Sequence, residues 1–191
     1  MPFEFVKSAL DGVVLIQPKR FGDARGSFEE CYHRRDFEAQ GIHVDFVQDN
    51  TSFSIKGTIR GLHFQKAPHG QAKLLKVLNG RVLDVAVDIR EHSATFGKHI
   101  AIELSAESGN MVYIPEGFAH GFSVLSETAI VHYKTSNYYH PQAEGGIFYR
   151  DPELAIDWKT DAPLVSPKDE ALPLLNTIRI QPIQKDIPTQ A

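Results

Sequence analysis

The chain has 191 residues, 42% of them hydrophobic and 23% charged, which describes one ordinary domain with enough apolar material for a real core. Its formal charge is −4 and its 20 Lys and Arg are dispersed, so no electrostatic footprint for nucleic acid exists, and no stretch is apolar enough to span a membrane. The single cysteine, Cys31, can close no intrachain disulfide and the first residues have neither a basic n-region nor an apolar h-region, so a reducing cytoplasm is the expected compartment.

Short alternating apolar runs separated by turn residues dominate the chain and predict a mainly β sandwich or barrel over a single domain, 1–191. Strands are expected over about 1–50, interrupted by a helix from Arg35 to Gln40 that ends at Gly41. Leu74 to Leu78 and Val82 to Asp88 flank Asn79-Gly80, a strong hairpin signal. In the second of these runs Val85 and Val87 alternate with Asp84, Ala86 and Asp88. A second hairpin is predicted from His99 to Leu104 and Met111 to Ile114, and a third from Phe122 to Leu125 and Ala129 to Lys134. From Pro141 the Pro, Asp and Gly content predicts turns and short helices to about residue 180, followed by a loose tail over 182–191.

Two of these strand-like stretches carry a histidine: Arg60-Gly61-Leu62-His63, and Pro115 to Phe122 with His120. Histidines on separate strands of a small barrel can share one pocket, as metal ligands or as acid/base groups. Gly109, Pro115, Gly117 and His120 match the second signature of the cupin superfamily, G-x5-P-x-G-x2-H, which implies a double-stranded β-helix, or jelly roll. Gly57 and His63 open the first signature. Gln65 then replaces its second histidine, and Lys73 stands where its acidic ligand belongs. Two histidines fall short of the three protein ligands of a catalytic metal site, and an ammonium repels a cation, so the expectation is no metal.

Phe21 to Gly26, Phe46 to Asn50, Arg60 to Gln65, Asp84 to Arg90, Ser93 to Gly97 and Tyr133 to Tyr139 occur in an order and spacing that resemble the dTDP-4-dehydrorhamnose 3,5-epimerase family, from about Val6 to about Leu175. The resemblance implies a cofactor-free, cytoplasmic cupin homodimer acting on a dTDP-linked 4-keto-6-deoxy sugar, with N-terminal strands crossing to the partner. It also implies roles. His63 resembles the base, Asp169 its carboxylate partner, Tyr133 the acid on the opposite face of the sugar, and Lys73 the contact to the sugar oxygen. The logic is chemical: hydrogens flanking a ketone become removable once charge moves onto its oxygen, and inversion needs a base and an acid on opposite faces. Arg60 and His120 are implied to line the same cavity, with Asp84 orienting His120. Arg25 resembles a diphosphate contact and Tyr139 the ring stacked on thymine, with Phe28 a possible second face. Glu30, Gln48, Asp49, Asn50, Glu144 and Lys168 resemble further substrate contacts.

Each assignment has a plainer alternative. His63 and His120 could be hydrogen-bonded core or turn histidines, Tyr133 and Tyr139 core or dimer aromatics, Lys73 and Arg25 solvated charges, and Asp169 a helix cap. Ser27, His132 and the loop Lys66 to Gly70 depart from the family pattern; His132 should point away from Tyr133 across the sheet. The competing functions are a C3 mono-epimerase or ketoisomerase on a related sugar nucleotide, a metal-dependent cupin dioxygenase, and a silent sugar-nucleotide binding module.

Overall fold

A computed structural model describes residues 2–178, so the tail expected over 182–191 lies outside the described residues. In chain order the elements are β1 (Phe3–Lys7), β2 (Val14–Pro18), β3 (Arg20–Asp23), β4 (Gly26–Glu29), α1 (Arg34–Glu38), β5 (Gln48–Ile55), β6 (Ile59–Gln65), β7 (Lys73–Asn79), β8 (Arg81–Asp88), β9 (His99–Ser105), β10 (Met111–Ile114), β11 (Phe118–Val124), β12 (Thr128–Thr135), β13 (Glu144–Gly146) and α2 (Pro167–Glu170). A six-stranded sheet in the order β1-β2-β10-β7-β12-β5 faces a five-stranded sheet in the order β13-β6-β11-β8-β9, and β3 and β4 pair as a separate ribbon. The fold is the cupin jelly roll.

Strand positions agree with the sequence reading, but their pairing does not. None of the three predicted hairpins forms. β7 pairs with β10 and β12, while β8 pairs with β9 and β11, so the chain at Asn79-Gly80 crosses from one sheet to the other. The same happens between β9 and β10 and between β11 and β12. These turns are the corners of a sandwich. Gly80 has the positive φ expected of a tight turn (77°), and a Cβ there would collide with the Thr128 carbonyl, so the start of β12 is packed onto it. β13 is a further correction: Glu144–Gly146 pairs with β6 where only turns and short helices were expected. The helix runs Arg34–Glu38 rather than from Arg35 to Gln40, and Gly41, at φ 82°, ends its last turn.

The sequence shows alternation in β8, yet every residue from Val82 to Asp88 is buried because both faces of this strand are covered. Val82 and Ala86 join Leu75, Val112 and Phe122 between the sheets. Val85 and Val87 pack outward against Ile147 and Trp158 of the C-terminal segment, where Trp158 Nε1 donates to the Tyr149 carbonyl at 2.7 Å. A third cluster anchors α1 through the fully buried Phe37, whose side chain contributes about 1.5–3 kcal/mol by leaving water.

β6 and β11 matter most for position. They pair with His120 directly opposite His63, and the register shifts between His120 and Phe122. Gly61 and Gly121 permit the approach: a Cβ on Gly121 would lie 2.7 Å from the Arg60 carbonyl. The two histidines are thereby fixed by backbone packing as well as by their own contacts.

Candidate active site

A cavity of about 730 Å³ opens between the sheets, with His63 and Arg60 from β6, Lys73 from β7, His120 from β11, Tyr133 from β12 and Asp169 from α2 in its wall. A second, of about 270 Å³, adjoins it and is bordered by Gln48, Asn50, Tyr139 and Glu144. His63, Lys73 and Tyr133 line both, so they stand where the two spaces meet.

His63 Nε2 and Asp169 Oδ1 are 2.8 Å apart. An ionised carboxylate only accepts, so Nε2 carries the proton and Nδ1 is left to accept. Asp169 is held in turn: its Oδ2 accepts from the Gly61 amide at 3.1 Å, and its own amide donates to Ser166 Oγ, the N-cap of α2. Burial alone would raise the Asp169 carboxyl, but the hydrogen bond and charge of His63 and the amide of Gly61 bring it below the usual carboxylate range. Asp169 does lie in a capped helix, but Ser166, not Asp169, is the cap.

His120 forms a second pair, with Nε2 2.8 Å from Asp84 Oδ2. Burial pushes its imidazole below the ordinary value, against the pull of Asp84, so it is neutral at pH 7. Burial also lowers the Lys73 ammonium to about 8, with the charge of Asp84 opposing the fall. Tyr133 moves the other way: burial raises its phenol, Arg60 opposing, and it keeps its proton. Among the described residues no three His, Cys, Asp or Glu side chains gather as metal ligands, and both cupin histidines already spend Nε2 on a carboxylate.

Around the smaller cavity, Tyr139 Oη donates to Glu144 Oε2 at 2.8 Å and Lys168 Nζ donates to Glu144 at 2.7 Å. The Gln48 side chain accepts from the Tyr139 amide at 3.1 Å and donates to Asn50 Oδ1 at 2.8 Å. Arg60 is exposed where it borders the larger cavity and donates to Ser54 Oγ at 3.0 Å, so it is no interior charge.

Four expected residues stand apart from both cavities. Arg25, in the turn between β3 and β4, is bonded to Asp23 with a side chain 90% exposed, and Phe28 is 67% exposed. Glu30 follows β4, with Oε2 buried and without a partner. Asp49 is paired with Lys134 at 2.7 Å, 3.8 Å from His132, on the opposite face of its strand from Asn50. His132 thus points away from Tyr133, as the strand period predicts. Sequence reasoning missed the Gly61–Asp169 contact, which spans 108 positions, and the apolar side of the cavity, where Phe122, Ile59, Leu164 and Val165 lie. A Ser-Pro pair ahead of Asp169 signals the start of its helix but not that contact.

The family model for dTDP-4-dehydrorhamnose 3,5-epimerase matches residues 7–177. The chain is 51% identical over 163 residues to a dTDP-4-dehydrorhamnose 3,5-epimerase of Pseudomonas aeruginosa, spanning 84% of this chain and 90% of that one. Its structure is similar to the dTDP-6-deoxy-D-glucose-3,5-epimerase RmlC from Legionella pneumophila in complex with dTDP-4-keto-L-rhamnose, with a TM-score of 0.92, 46% identity, and 96% and 99% of the two chains covered. It is also similar to ChmJ, a 3'-monoepimerase from Streptomyces bikiniensis in complex with dTDP-quinovose, with a TM-score of 0.84, 34% identity, and 89% and 87% covered.

Proposed function

We infer, from the premise that the chain belongs to the dTDP-4-dehydrorhamnose 3,5-epimerase family, that it inverts C3 and C5 of dTDP-4-dehydro-6-deoxy-D-glucose, as a step toward dTDP-L-rhamnose. The observation that carries this reading is the His63–Asp169 pair and the Tyr133 phenol in the wall of one cavity, with His63, Lys73 and Tyr133 also bordering the adjoining side space. His63 Nδ1 takes the proton from the carbon beside the ketone, the electron pair moves onto O4, and Asp169 steadies the imidazolium. Lys73 faces the growing charge on O4. Tyr133 Oη then returns a proton to the other face, for which its raised pKa keeps it loaded. The same groups serve C3 and C5 in turn, and exchange with solvent resets both. No metal or other cofactor enters these steps.

Arg60 and His120 border the sugar, while Tyr139, Gln48, Asn50, Glu144 and Lys168 take the nucleotide side, where the tyrosine ring supplies a stacking face. Arg25, Phe28, Glu30 and Asp49 act in a homodimer. The β3–β4 ribbon presents Phe21 and Phe28, 51% and 67% exposed, and the sheet edge at β5 presents Phe53, 60% exposed, which supports a ribbon that reaches the cavity of a second copy. Mixing Arg25→Ala with His63→Ala protein tests this: subunits that share a site recover activity on exchange, and self-sufficient subunits do not. No helix of the described residues is long and apolar enough to cross a membrane; the substrate's solubility and the lone cysteine fit a cytoplasmic enzyme.

The decisive experiment is NMR of the substrate in D₂O with wild-type, His63→Ala and Tyr133→Phe protein. Deuterium entering C3 and C5 in a His63-dependent way is the expected outcome. Exchange at C3 alone assigns the chain to mono-epimerases such as ChmJ, and no exchange overturns the catalytic reading.

A further inference from the structure

Asp84 is the least explained group in the site. It is 1% exposed, it gives Oδ2 to His120, and its Oδ1 is buried with no hydrogen-bond partner. A bare carboxylate oxygen in a barrel interior is costly unless an opposite charge is near. Lys73 supplies that charge. Among the described residues its ammonium makes no hydrogen bond or ion pair; it shares a cavity wall with His120, which is bonded to Asp84, and the Asp84 charge opposes the effect of burial on it. A direct ion pair would consume ammonium hydrogens. A carboxylate clamped by His120, which shares the cavity wall with Lys73, makes no ion pair with the ammonium and leaves them free.

We propose that Asp84 is the fixed counter-charge of Lys73: held by His120, it keeps the ammonium charged in a dry pocket while leaving its hydrogens uncommitted for the developing oxyanion. Asp84 is therefore a positioning residue that acts through Lys73, and the proposal rests on the epimerase reading for the meaning of the oxyanion. The other charges around Lys73 do not replace it. His63 and Arg60 on β6, His120 on β11 and Tyr133 on β12 are cationic or neutral, Glu144 on β13 is neutralised by Lys168, Asp169 on α2 is taken by His63, and Glu170, also on α2, is exposed to solvent, which screens it. Strand β5 offers only uncharged side chains to the two cavities, Gln48, Asn50, Ser52 and Ile55.

The test follows reductive methylation of Lys73 against pH by mass spectrometry, without substrate, alongside kcat against pH. Asp84→Asn keeps the size and a bond to His120 but removes the charge. Its Lys73 titration is expected at least about one pH unit below wild type, with the alkaline limb of kcat moving by the same amount. His120→Ala provides an independent arm: the released carboxylate closes on the ammonium, so Lys73 titrates higher and kcat falls. An unmoved Lys73 titration in Asp84→Asn overturns the proposal, as does an unmoved or lowered one in His120→Ala if the first variant does not fold. Because labelling needs no turnover, absence of deuterium exchange overturns the epimerase reading and leaves the charge pairing standing.

Discussion

Among the described residues two histidine–carboxylate pairs have the same 2.8 Å bond and opposite surroundings. His63 and Asp169 sit at the mouth: the imidazole is 34% exposed, and its carboxylate arrives on a helix from the far end of the chain. His120 and Asp84 come from adjacent strands inside the barrel, 9% and 1% exposed. Asp169 satisfies a backbone amide with its second oxygen, while that of Asp84 stays bare. On the proposed mechanism the outer pair meets the sugar, while burial keeps the inner imidazole neutral. A bond length says little about what a dyad does; access and the second oxygen decide.

The largest expected effect comes from breaking the outer pair at its base. His63→Ala should lower kcat roughly 10²–10⁴-fold, whereas His120→Ala should cost less and retain exchange, measured by deuterium incorporation. Asp169→Asn should come next, lowering kcat by on the order of 10²-fold at unchanged fold, because the amide still reaches Gly61 but cannot steady an imidazolium. Equal losses for the inner and outer histidines would erase the distinction.

How much of this could be read in advance follows the same divide. His63, His120, Lys73 and Tyr133 lie in strands whose alternation and glycines are visible locally, and those strands were found nearly where they are. Partners were not legible: Asn79-Gly80 has hairpin chemistry, but β7 hydrogen-bonds to β10 and β12 within its own sheet, while β8 lies in the sheet opposite. Asp169 lies in a four-residue helix without periodicity, so only the resemblance pointed to it, and nothing local announces that the same carboxylate holds Gly61. Arg25 and Phe28 carried the right chemistry for a nucleotide, yet they border neither of the two site cavities.

Smaller effects should appear in stability against pH, in separate windows. His120 has a folded pKa below its unfolded value, so its contribution is complete above pH ~6.5 and declines as pH falls and the unfolded chain takes up the proton first. Asp169 also has a depressed folded value, so its contribution is complete above pH ~4 and lost on further acidification. Urea melts between pH 7 and 3 should show both slopes. His120→Gln should remove the upper one and Asp169→Asn the lower. A single shared window would mean that the pairs titrate as one unit.

The 106 positions between His63 and Asp169 also order events during synthesis. As the chain leaves the ribosome, β6 and its histidine emerge long before α2, and β12, which supplies the phenol and closes the sheet on β5, emerges in between. Any product ending before residue 169 has a barrel wall and a histidine but no carboxylate to set its tautomer. On the proposed mechanism competence therefore arrives with almost the last described turn of the chain, and a copy interrupted before it lacks the dyad.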